Sequence, residues 1–334
     1  MNHYIIPVFI PELACPNRCI YCNQHCISGQ GNIPSPDDLD QIIHKHLSTM
    51  PTENRFVEVG FFGGNFTGIN LAMQKAFLKK AHSWVKQRKI DGVRISTRPD
   101  YVSNDTITLL LKYKVSCVEL GVQSFDRKVL SLTNRGHTAH DSRIAASLIK
   151  ESGIRLGMQM MIGLPGDSFQ KSMDTARQIV EAGADNTRIY PTLVIKDTIL
   201  ADMYSAGQYQ PLEMDEAIDQ CAKLAIFFQK NGIRVLRMGL HPSKELMNNQ
   251  ALVAGPFHQS FGELVMSRMW KDDLTKLCRI DSRQILRIHV APGQLNAAIG
   301  HKASNRRMLE QKHSKVVFVA DNKLQGRDYH VDDY

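Results

Sequence analysis

The sequence predicts an α/β fold with a parallel sheet, and three observations support this. Short apolar runs alternate with longer stretches of helical period along most of the chain. Such alternation is typical of parallel strands joined by right-handed helical crossovers. The 334 residues, 43% of them hydrophobic, are enough to bury a full core and to add a second small domain. The pattern alone leaves both a barrel and a doubly wound sheet open.

The individual elements follow from apolar runs and from the amphipathic stretches between them. Strands are predicted at residues 4–9, 56–62, 92–97, 116–121, 156–162 and 187–190. Helices are predicted at residues 36–49, 71–86, 142–151 and 169–181. The first helix is opened by Ser35, Pro36, Asp37 and Asp38, which form a suitable cap and first turn. Strands and helices therefore alternate up to about residue 190.

Three cysteines near the N-terminus indicate a metal centre. Cys15, Cys19 and Cys22 have a C-x3-C-x2-C spacing, which can bind three irons of one [4Fe–4S] cluster and leave the fourth iron open to a substrate. The alternative is a structural zinc site, in which His25 or Cys26 would supply the fourth ligand. Zinc sites usually bring paired ligands from two separated knuckles, and no second C-x2-C pair occurs in the chain. The spacing favours iron–sulfur and leaves zinc open.

Six further segments follow the triad in a fixed order. They are FFGGNFTG (61–68), STRPDY (96–101), VELGVQS (118–124), NRGHT (134–138), MIGLPG (161–166) and RIYPTL (188–193). With Tyr21 before the last cysteine, this series resembles the radical S-adenosylmethionine (SAM) superfamily, and within it the branch related to the Elongator catalytic subunit. The similarity spans about residues 4–240, and the ordered series is more specific than any one motif. It implies a partial (β/α)6 TIM-like barrel and favours the iron–sulfur cluster over zinc.

The resemblance also implies how SAM is bound. The three cysteines would ligate the cluster, and its open iron would take the amino and carboxylate groups of SAM. The other contacts directly follow predicted strands, where barrels of this type bind ligands. Gly63 and Gly64 would let the backbone approach the methionine part of SAM. Ser96 and Arg98 are expected at the ribose and carboxylate, and Gln123 at the ribose.

A second group of expected contacts concerns the adenine and the barrel interior. Ile162, Gly163 and Tyr190 are expected along the adenine with the backbone of Tyr21, although an apolar residue on a barrel strand is more often part of the core. Glu119 either faces the SAM groups or pairs with a basic residue inside the barrel. No catalytic residue is assigned. The unranked candidates for the substrate side are Asn186, Arg188 and Lys196.

The implied chemistry is reductive cleavage of SAM to a 5′-deoxyadenosyl radical that abstracts a hydrogen from the substrate. The expected partners are a flavodoxin- or ferredoxin-like electron donor and tRNA, since the Elongator-related family modifies wobble uridine. Nothing after residue 240 resembles an acetyltransferase domain, so the family's product is not carried over. Two alternatives stay open: a radical SAM enzyme for a small molecule, similar to oxygen-independent coproporphyrinogen oxidase, and a non-catalytic metal- or RNA-binding protein with the same fold.

The last hundred residues carry most of the net charge of +8. Residues 234–334 hold 16 Lys and Arg against 10 Asp and Glu, a net charge of +6. A concentrated basic region is typical of a surface that binds a polyanion, and a solvated basic face without a partner is the alternative. We therefore expect two domains: a radical SAM core at residues 1–245 and a small basic α/β region at residues 246–334.

This C-terminal region has a predicted strand at residues 284–290, a helix at 303–311 and a strand at 315–319. The loop that starts at Gly300 is similar to that of KH-type RNA-binding modules, whose G-x-x-G loop clamps nucleotide backbone. Ala303 stands where the second glycine would be, so a KH-like module and a plain α/β appendage both remain open. In a KH-like module, Lys302, Arg306 and Arg307 would contact phosphates.

The sequence also bears on location. The N-terminus lacks a charged segment followed by a long apolar run, which is the pattern of a secretory signal. No uninterrupted apolar stretch approaches the roughly 18 residues of a membrane span. We therefore expect a cytoplasmic protein that does not cross a membrane.

Overall fold

The computed structural model describes residues 2–10, 15, 18–23, 34–241, 243–248, 250–279 and 285–332. The chain packs as two compact units, one formed by residues 1–212 with 228–256 and the other by residues 213–227 with 257–334. These units divide at residues 256 and 257, and they assign part of one helix to the second unit. The domain boundary expected at residues 245 and 246 stays a prediction.

A seven-stranded parallel sheet, curved into a partial barrel, forms the centre of the first unit. Its strands, in spatial order, are β1 (Asn2–Phe9), β2 (Arg55–Phe62), β3 (Gly92–Thr97), β4 (Cys117–Gln123), β5 (Arg155–Ile162), β6 (Asn186–Pro191) and β8 (Arg234–Met238). The first six are the predicted strands, and β8 is an addition. A separate antiparallel pair joins β7 (Val194–Ile195) to β9 (Leu252–Ala254).

Helices connect the strands. They are α1 (Asp38–Leu47), α2 (Leu71–Lys86), α3 (Asn104–Lys112), α4 (Arg127–Leu132), α5 (Ala139–Glu151), α6 (Phe169–Glu181), α7 (Ile199–Ser205), α8 (Met214–Lys230) and α9 (Lys244–Met247). The four predicted helices correspond to α1, α2, α5 and α6, and the others are additions. Local sequence fixes where several begin. Thr138 and Asp141 form a capping box that starts α5, because each side chain accepts a hydrogen bond from the other's backbone N–H.

The central strands are buried along nearly their whole length. Helices such as α2 cover one face of the sheet with apolar side chains, among them Phe77, Leu78 and Ala81. The same strands also carry buried charges, Glu58 on β2, Arg94 on β3 and Glu119 on β4. A buried charge destabilises the fold unless it is paired. These side chains therefore need partners inside the barrel.

The second unit has its own sheet and core. Strand β10 (Ile285–Val290) pairs in parallel with β11 (Lys315–Ala320) and antiparallel with β12 (Tyr329–Val331). Helices α10 (Phe261–Leu274), α11 (Leu295–Ile299) and α12 (Ser304–Glu310) accompany this sheet, whose core includes Trp270, Leu286 and Ile288. The predicted strands and helix are confirmed to within one residue, and β12 is an addition. Across both units, no described helix has the length and apolar character needed to cross a membrane.

Candidate active site

A cavity of about 870 Å³ lies in the first unit. It is lined by eleven of the predicted site residues: Cys15, Cys19, Tyr21, Cys22, Gly63, Gly64, Ser96, Arg98, Glu119, Gln123 and Tyr190. These residues come from the N-terminal segment and from four different strands or the turns that follow them. The fold therefore gathers positions that are up to 175 residues apart in the chain, from Cys15 to Tyr190, into one site.

The cysteine segment is held against the barrel by a buried isoleucine. Ile20 donates its N–H to the carbonyl of Thr133 at 3.2 Å and accepts from the N–H of Leu200 at 2.9 Å. Its side chain packs in a small apolar cluster that includes Leu200. The adjacent Cys19 is buried, and its carbonyl accepts from the N–H of Cys22 at 3.0 Å. Cys19 and Cys22 are thus anchored through their backbone, while His25 and Cys26 lie outside the described residues.

A buried arginine lies beside the triad. The Arg135 Nη1 group is 3.3 Å from the Sγ of Cys19, and Nη2 donates to the carbonyl of Gly121 at 2.5 Å. This contact places a positive charge beside one of the predicted ligand sulfurs. Arg135 belongs to the NRGHT segment, and no role is predicted for it from the sequence. The sequence signal for a role of Arg135 was a charged residue inside a motif that falls on a predicted loop.

Arg98 combines a fixed pair with a donor that has no partner. Its Nε and Nη2 groups donate to the two carboxylate oxygens of Asp100 at 2.9 and 2.8 Å. Its side chain is only 2% exposed, so this is not the surface ion pair that a lone arginine usually makes. Its Nη1 group is buried and has no hydrogen-bond partner among the described residues. The Nε group of Arg135 is in the same situation.

Gln123 ends β4 in an unusual conformation. Its φ of +68° lies in the left-handed region, which residues other than glycine seldom adopt. The side chain lines the cavity, where its Oε1 accepts from the Nε2 of Gln159 at 3.2 Å. Backbone strain of this kind concentrates at functional sites. The expected ribose contact of Gln123 stays a prediction.

Two predicted adenine contacts do not line the cavity. Ile162 is fully buried, and the neighbouring Met161 lines the cavity instead, because successive strand residues point to opposite faces. Gly163 has a φ of +73° and is fixed from both sides. Its N–H donates to Asp167 at 3.0 Å, and its carbonyl accepts from the hydroxyl of Tyr209 at 2.6 Å. The structure thus places Ile162 in the core and Gly163 in a braced turn.

Glu119 pairs with basic residues inside the barrel, which is the second of its two expected arrangements. Its carboxylate accepts from Arg188 at 2.7 and 3.0 Å and from Arg94 at 2.6 Å. Burial opposes its ionisation, but the charge of Arg188, with that of Arg94, outweighs this effect and lowers its pKa. Both oxygens are therefore engaged by the barrel. Arg188, a substrate-side candidate, lines the cavity from this fixed position.

The ion pairs continue across the barrel as a network that is not predicted from the sequence. Fully buried Arg94 also donates to Glu58 at 2.9 Å. Glu58 in turn accepts from Ser116 at 2.7 Å and Arg155 at 2.6 Å, and lies 2.7 Å from His3 Nε2. We call Glu58, Arg94, Glu119 and Arg188 the interior network. Its signal in the sequence is one charged residue inside each of four predicted strands.

The other two substrate-side candidates do not line the cavity. Asn186 is buried and accepts from Arg94 Nη1 at 3.2 Å, so it extends the interior network. Lys196 has an exposed side chain, and its backbone bonds to Asn23 and Ala251. The structure therefore brings only Arg188 of this group to the cavity.

In the second unit, the predicted RNA contacts lie around the loop between α11 and α12. Lys302 and Arg307 are exposed, whereas Arg306 is half-buried with its guanidinium 5.9 Å from the ring centre of Phe318. Lys302 and Ala303 both have left-handed backbone, with φ of +51° and +59°. Ala303 thus adopts the kind of conformation that a second loop glycine would favour.

The residues of the cavity fit an iron–sulfur cluster and SAM. Three cysteines line it and could act as thiolate ligands. Two arginines that line it keep buried donors without partners among the described residues. Buried donors in native proteins are nearly always satisfied, so these groups are suited to an anionic part of a ligand, such as the carboxylate of SAM.

Comparison with known proteins identifies relatives of the chain. The model of the radical SAM superfamily matches residues 10–179, and that of the radical SAM C-terminal domain matches residues 184–271. The tRNA uridine(34) acetyltransferase of Methanocaldococcus infernus is 26% identical over 330 residues, covering 87% of this chain and 60% of the relative. Elongator complex protein 3 of Drosophila melanogaster is 31% identical over 201 residues, covering 59% of this chain and 35% of the relative.

Solved structures share the fold. The archaeal Methanocaldococcus infernus Elp3 with an N-terminal deletion has a TM-score of 0.66 at 25% identity, covering 82% of this chain and 64% of that chain. A structure of anSMEcpe with bound AdoMet and a peptide has a TM-score of 0.51 at 13% identity, covering 70% and 63%. The chain spans 60% of the length of its archaeal acetyltransferase relative. These matches confirm the partial barrel and the predicted resemblance to the Elongator-related branch, and the chain belongs to the radical SAM superfamily.

Proposed function

We propose that the chain is a radical SAM enzyme that modifies RNA, with tRNA as the substrate. The observation that carries the proposal is the convergence of three cysteines and two incompletely paired arginines on one cavity. The names of the curated relatives support tRNA, because one is a tRNA uridine(34) acetyltransferase. A flavodoxin- or ferredoxin-like protein would supply the electron.

In this proposal, Cys15, Cys19 and Cys22 hold a [4Fe–4S] cluster as thiolates. When bound, the cluster and SAM supply an electron transfer and a 5′-deoxyadenosyl radical that abstracts a hydrogen from the substrate. Arg135 stabilises negative charge beside Cys19. Arg98, oriented by Asp100, directs its unpaired Nη1 donor at the ligand carboxylate. These residues bind and orient the cofactors.

The remaining lining of the cavity suits a polyanionic substrate. Arg234 and Arg237, at the edge strand β8, line the cavity, as do Arg18 and Arg188. Among the acidic residues that the structure describes, only Glu119 lines it, and both of its oxygens are already paired with arginine. The cavity therefore has a surplus of positive charge, which favours phosphate-bearing substrates.

The exposed cations of the second unit would bind RNA backbone. The loop from Gly300 to Ala303 has a fixed conformation, since the N–H of His301 donates to Ser267 Oγ at 2.9 Å. Gly300 has a φ of +86°, and a Cβ there would lie 2.8 Å from the backbone nitrogen of Asn305, so the position requires glycine. Lys302 projects from this loop and Arg307 from the helix that follows. Such an arrangement supports a KH-like clamp on phosphates.

Anaerobic reconstitution tests the radical chemistry. With reductant and SAM, we expect the wild-type chain to release 5′-deoxyadenosine, detected by mass spectrometry, and to change the mass of a nucleoside in total tRNA. The Cys22→Ala variant should release none, because the cluster would lose a ligand. The matched control is Cys278→Ala, a half-buried cysteine of the second unit that should retain activity. Release that is equal in both variants would contradict the proposal.

Salt dependence tests the RNA part separately. The affinity for tRNA should fall linearly on a logarithmic scale as salt rises, and Lys302→Ala should reduce the slope by about one. Lys323→Ala, which removes another exposed lysine of the same unit, is the control and should leave the slope unchanged. If tRNA does not bind, or binds without salt dependence, while deoxyadenosine is still released, the small-molecule alternative replaces the RNA assignment.

A further inference from the structure

Two imidazoles and a carboxylate come together in the second unit, outside the cavity. His289 on β10 and His330 on β12 are register partners, and their rings stack with centroids 4.5 Å apart and planes at 7°. Asp332 directly follows β12, and its Oδ1 lies 2.7 Å from His289 Nε2. One ligand atom from each of the three residues lies within 4.8 Å of the other two.

The backbone dictates this arrangement. Ile288 and Val331 are the adjacent register pair, and both pack against the apolar core of the second unit. Because side chains alternate between the faces of a sheet, the pair formed by His289 and His330 projects from the opposite face. Cross-strand partners have Cβ atoms only about 5 Å apart. The two imidazoles are therefore neighbours by register rather than through a particular choice of rotamers.

Two of the candidate ligand atoms are already close together. His289 Nε2 is buried and lies 2.7 Å from Asp332 Oδ1. Both atoms can ligate a metal ion through a lone pair, so a cation between the strands would be attracted to both. The neighbouring charge is Arg287, whose Nε lies 4.0 Å from the other carboxylate oxygen, Oδ2. Arg287 thus approaches the oxygen that the imidazole does not face.

We propose that His289, His330 and Asp332 bind a divalent transition metal ion such as Zn²⁺ or Co²⁺. Imidazole nitrogen and carboxylate oxygen are ligands that these ions accept, and water would complete a tetrahedral shell at the exposed side of His330. The ion would tie the three-residue edge strand β12 to β10. Binding should therefore stabilise the second unit. The site shares no residue with the cysteine triad and does not depend on the proposed function.

Cobalt titration of the full chain tests the site, because thiolate ligation gives an intense sulfur-to-metal absorption that imidazole and carboxylate ligation do not. We expect wild type to bind one equivalent of Co²⁺ without this absorption, in addition to any bound by the triad. His330→Ala and His289→Gln should weaken that equivalent at least about tenfold. His140→Ala, an exposed histidine of α5, should behave as wild type.

Thermal unfolding provides the second measurement. Excess Co²⁺ should raise the Tm of wild type and of His140→Ala more than that of His330→Ala. Far-UV circular dichroism should show that His330→Ala folds, since this side chain is exposed. The inference is overturned if wild type binds Co²⁺ only with the sulfur absorption. It is also overturned if folded His330→Ala binds the additional equivalent as tightly as wild type.

Discussion

The interior network and the cavity that holds the cysteine triad use arginine in different ways. In the interior, Arg94 donates to two carboxylates and to an amide, so its charge is fully matched by the protein. At the cavity, Arg98 and Arg135 also hold protein partners, but each keeps a buried donor without a partner among the described residues. The fully paired arginine of the interior stabilises the barrel. The arginines at the cavity keep donors for a ligand, so substitutions should affect the two regions differently.

The largest effect is expected in the interior network. Arg94→Met would leave Glu58 and Glu119 buried with one cation fewer, and we expect it to lower the free energy of unfolding by about 3–5 kcal/mol. Urea unfolding measures this loss. The control is Arg177→Met on α6, which breaks an exposed pair with Asp174 and should cost less than about 1 kcal/mol. Similar losses in both variants would show that the network does not stabilise the barrel.

A pH-dependent effect on stability is expected from His137, which lies two residues after Arg135. Burial, aided by the charge of Arg135, lowers its pKa to about 3, whereas the unfolded value is about 6.5. The unfolded state therefore binds the proton first, and stability should fall as pH drops from about 6.5, by up to about 1.4 kcal/mol per pH unit. Urea unfolding between pH 8 and pH 5 measures the slope. His137→Gln should flatten it, and an unchanged slope would contradict this assignment.

A pair of serines compares ligand binding with stability. Ser96 is half-buried at the cavity and makes no side-chain hydrogen bond with described residues, whereas Ser116 donates to Glu58 at 2.7 Å. Ser96→Ala should weaken SAM binding by about 1 kcal/mol, roughly fivefold, with little change in unfolding. Ser116→Ala should lower stability by about 1 kcal/mol and leave SAM affinity unchanged. Calorimetric titration measures the SAM affinity, and urea unfolding measures the stability. A loss of stability in Ser96→Ala, with a loss of SAM affinity in Ser116→Ala, would refute this separation of ligand binding from stability.

The smallest effect is expected in the second unit. Ala303 has a φ of +59°, a conformation that costs an L-residue about 1 kcal/mol relative to glycine. Ala303→Gly should therefore raise the free energy of unfolding by up to about 1 kcal/mol. Ala297→Gly, inside helix α11, is the control and should lower it by a similar amount. Destabilisation by both substitutions would indicate that the loop is not strained.

Sequence patterns predicted most of the scaffold, since six barrel strands and their helices have strong periodicity. Strand β8 escaped prediction because its sequence, RVLRM, mixes two arginines with half-buried apolar residues. Ile162 is buried in the core, and its expected adenine contact stays a prediction. The cavity side of β5 carries Gln159 and Met161, and one glutamine in an otherwise apolar run is a weak sequence signal for that face.

The site was predictable where chemistry demands a particular residue type and spacing. The cysteines and the strand-end motifs therefore appeared from the sequence, and the structure gathers eleven of those residues around one cavity. Pairing between charges on different strands depends on distances that a sequence does not contain. For this reason the bond between Arg135 and Cys19, 116 residues apart, and the network around Arg94 emerged only from the structure.

Electron paramagnetic resonance of the anaerobically reduced protein tests the central claim most directly. If three cysteines leave one iron open at the cavity, the reduced chain should show a [4Fe–4S] signal that changes when SAM is added, because SAM would bind that iron. Ser96→Ala should require more SAM for the same change. A spectrum that ignores SAM, or a triad that holds zinc without inorganic sulfide, would contradict the account.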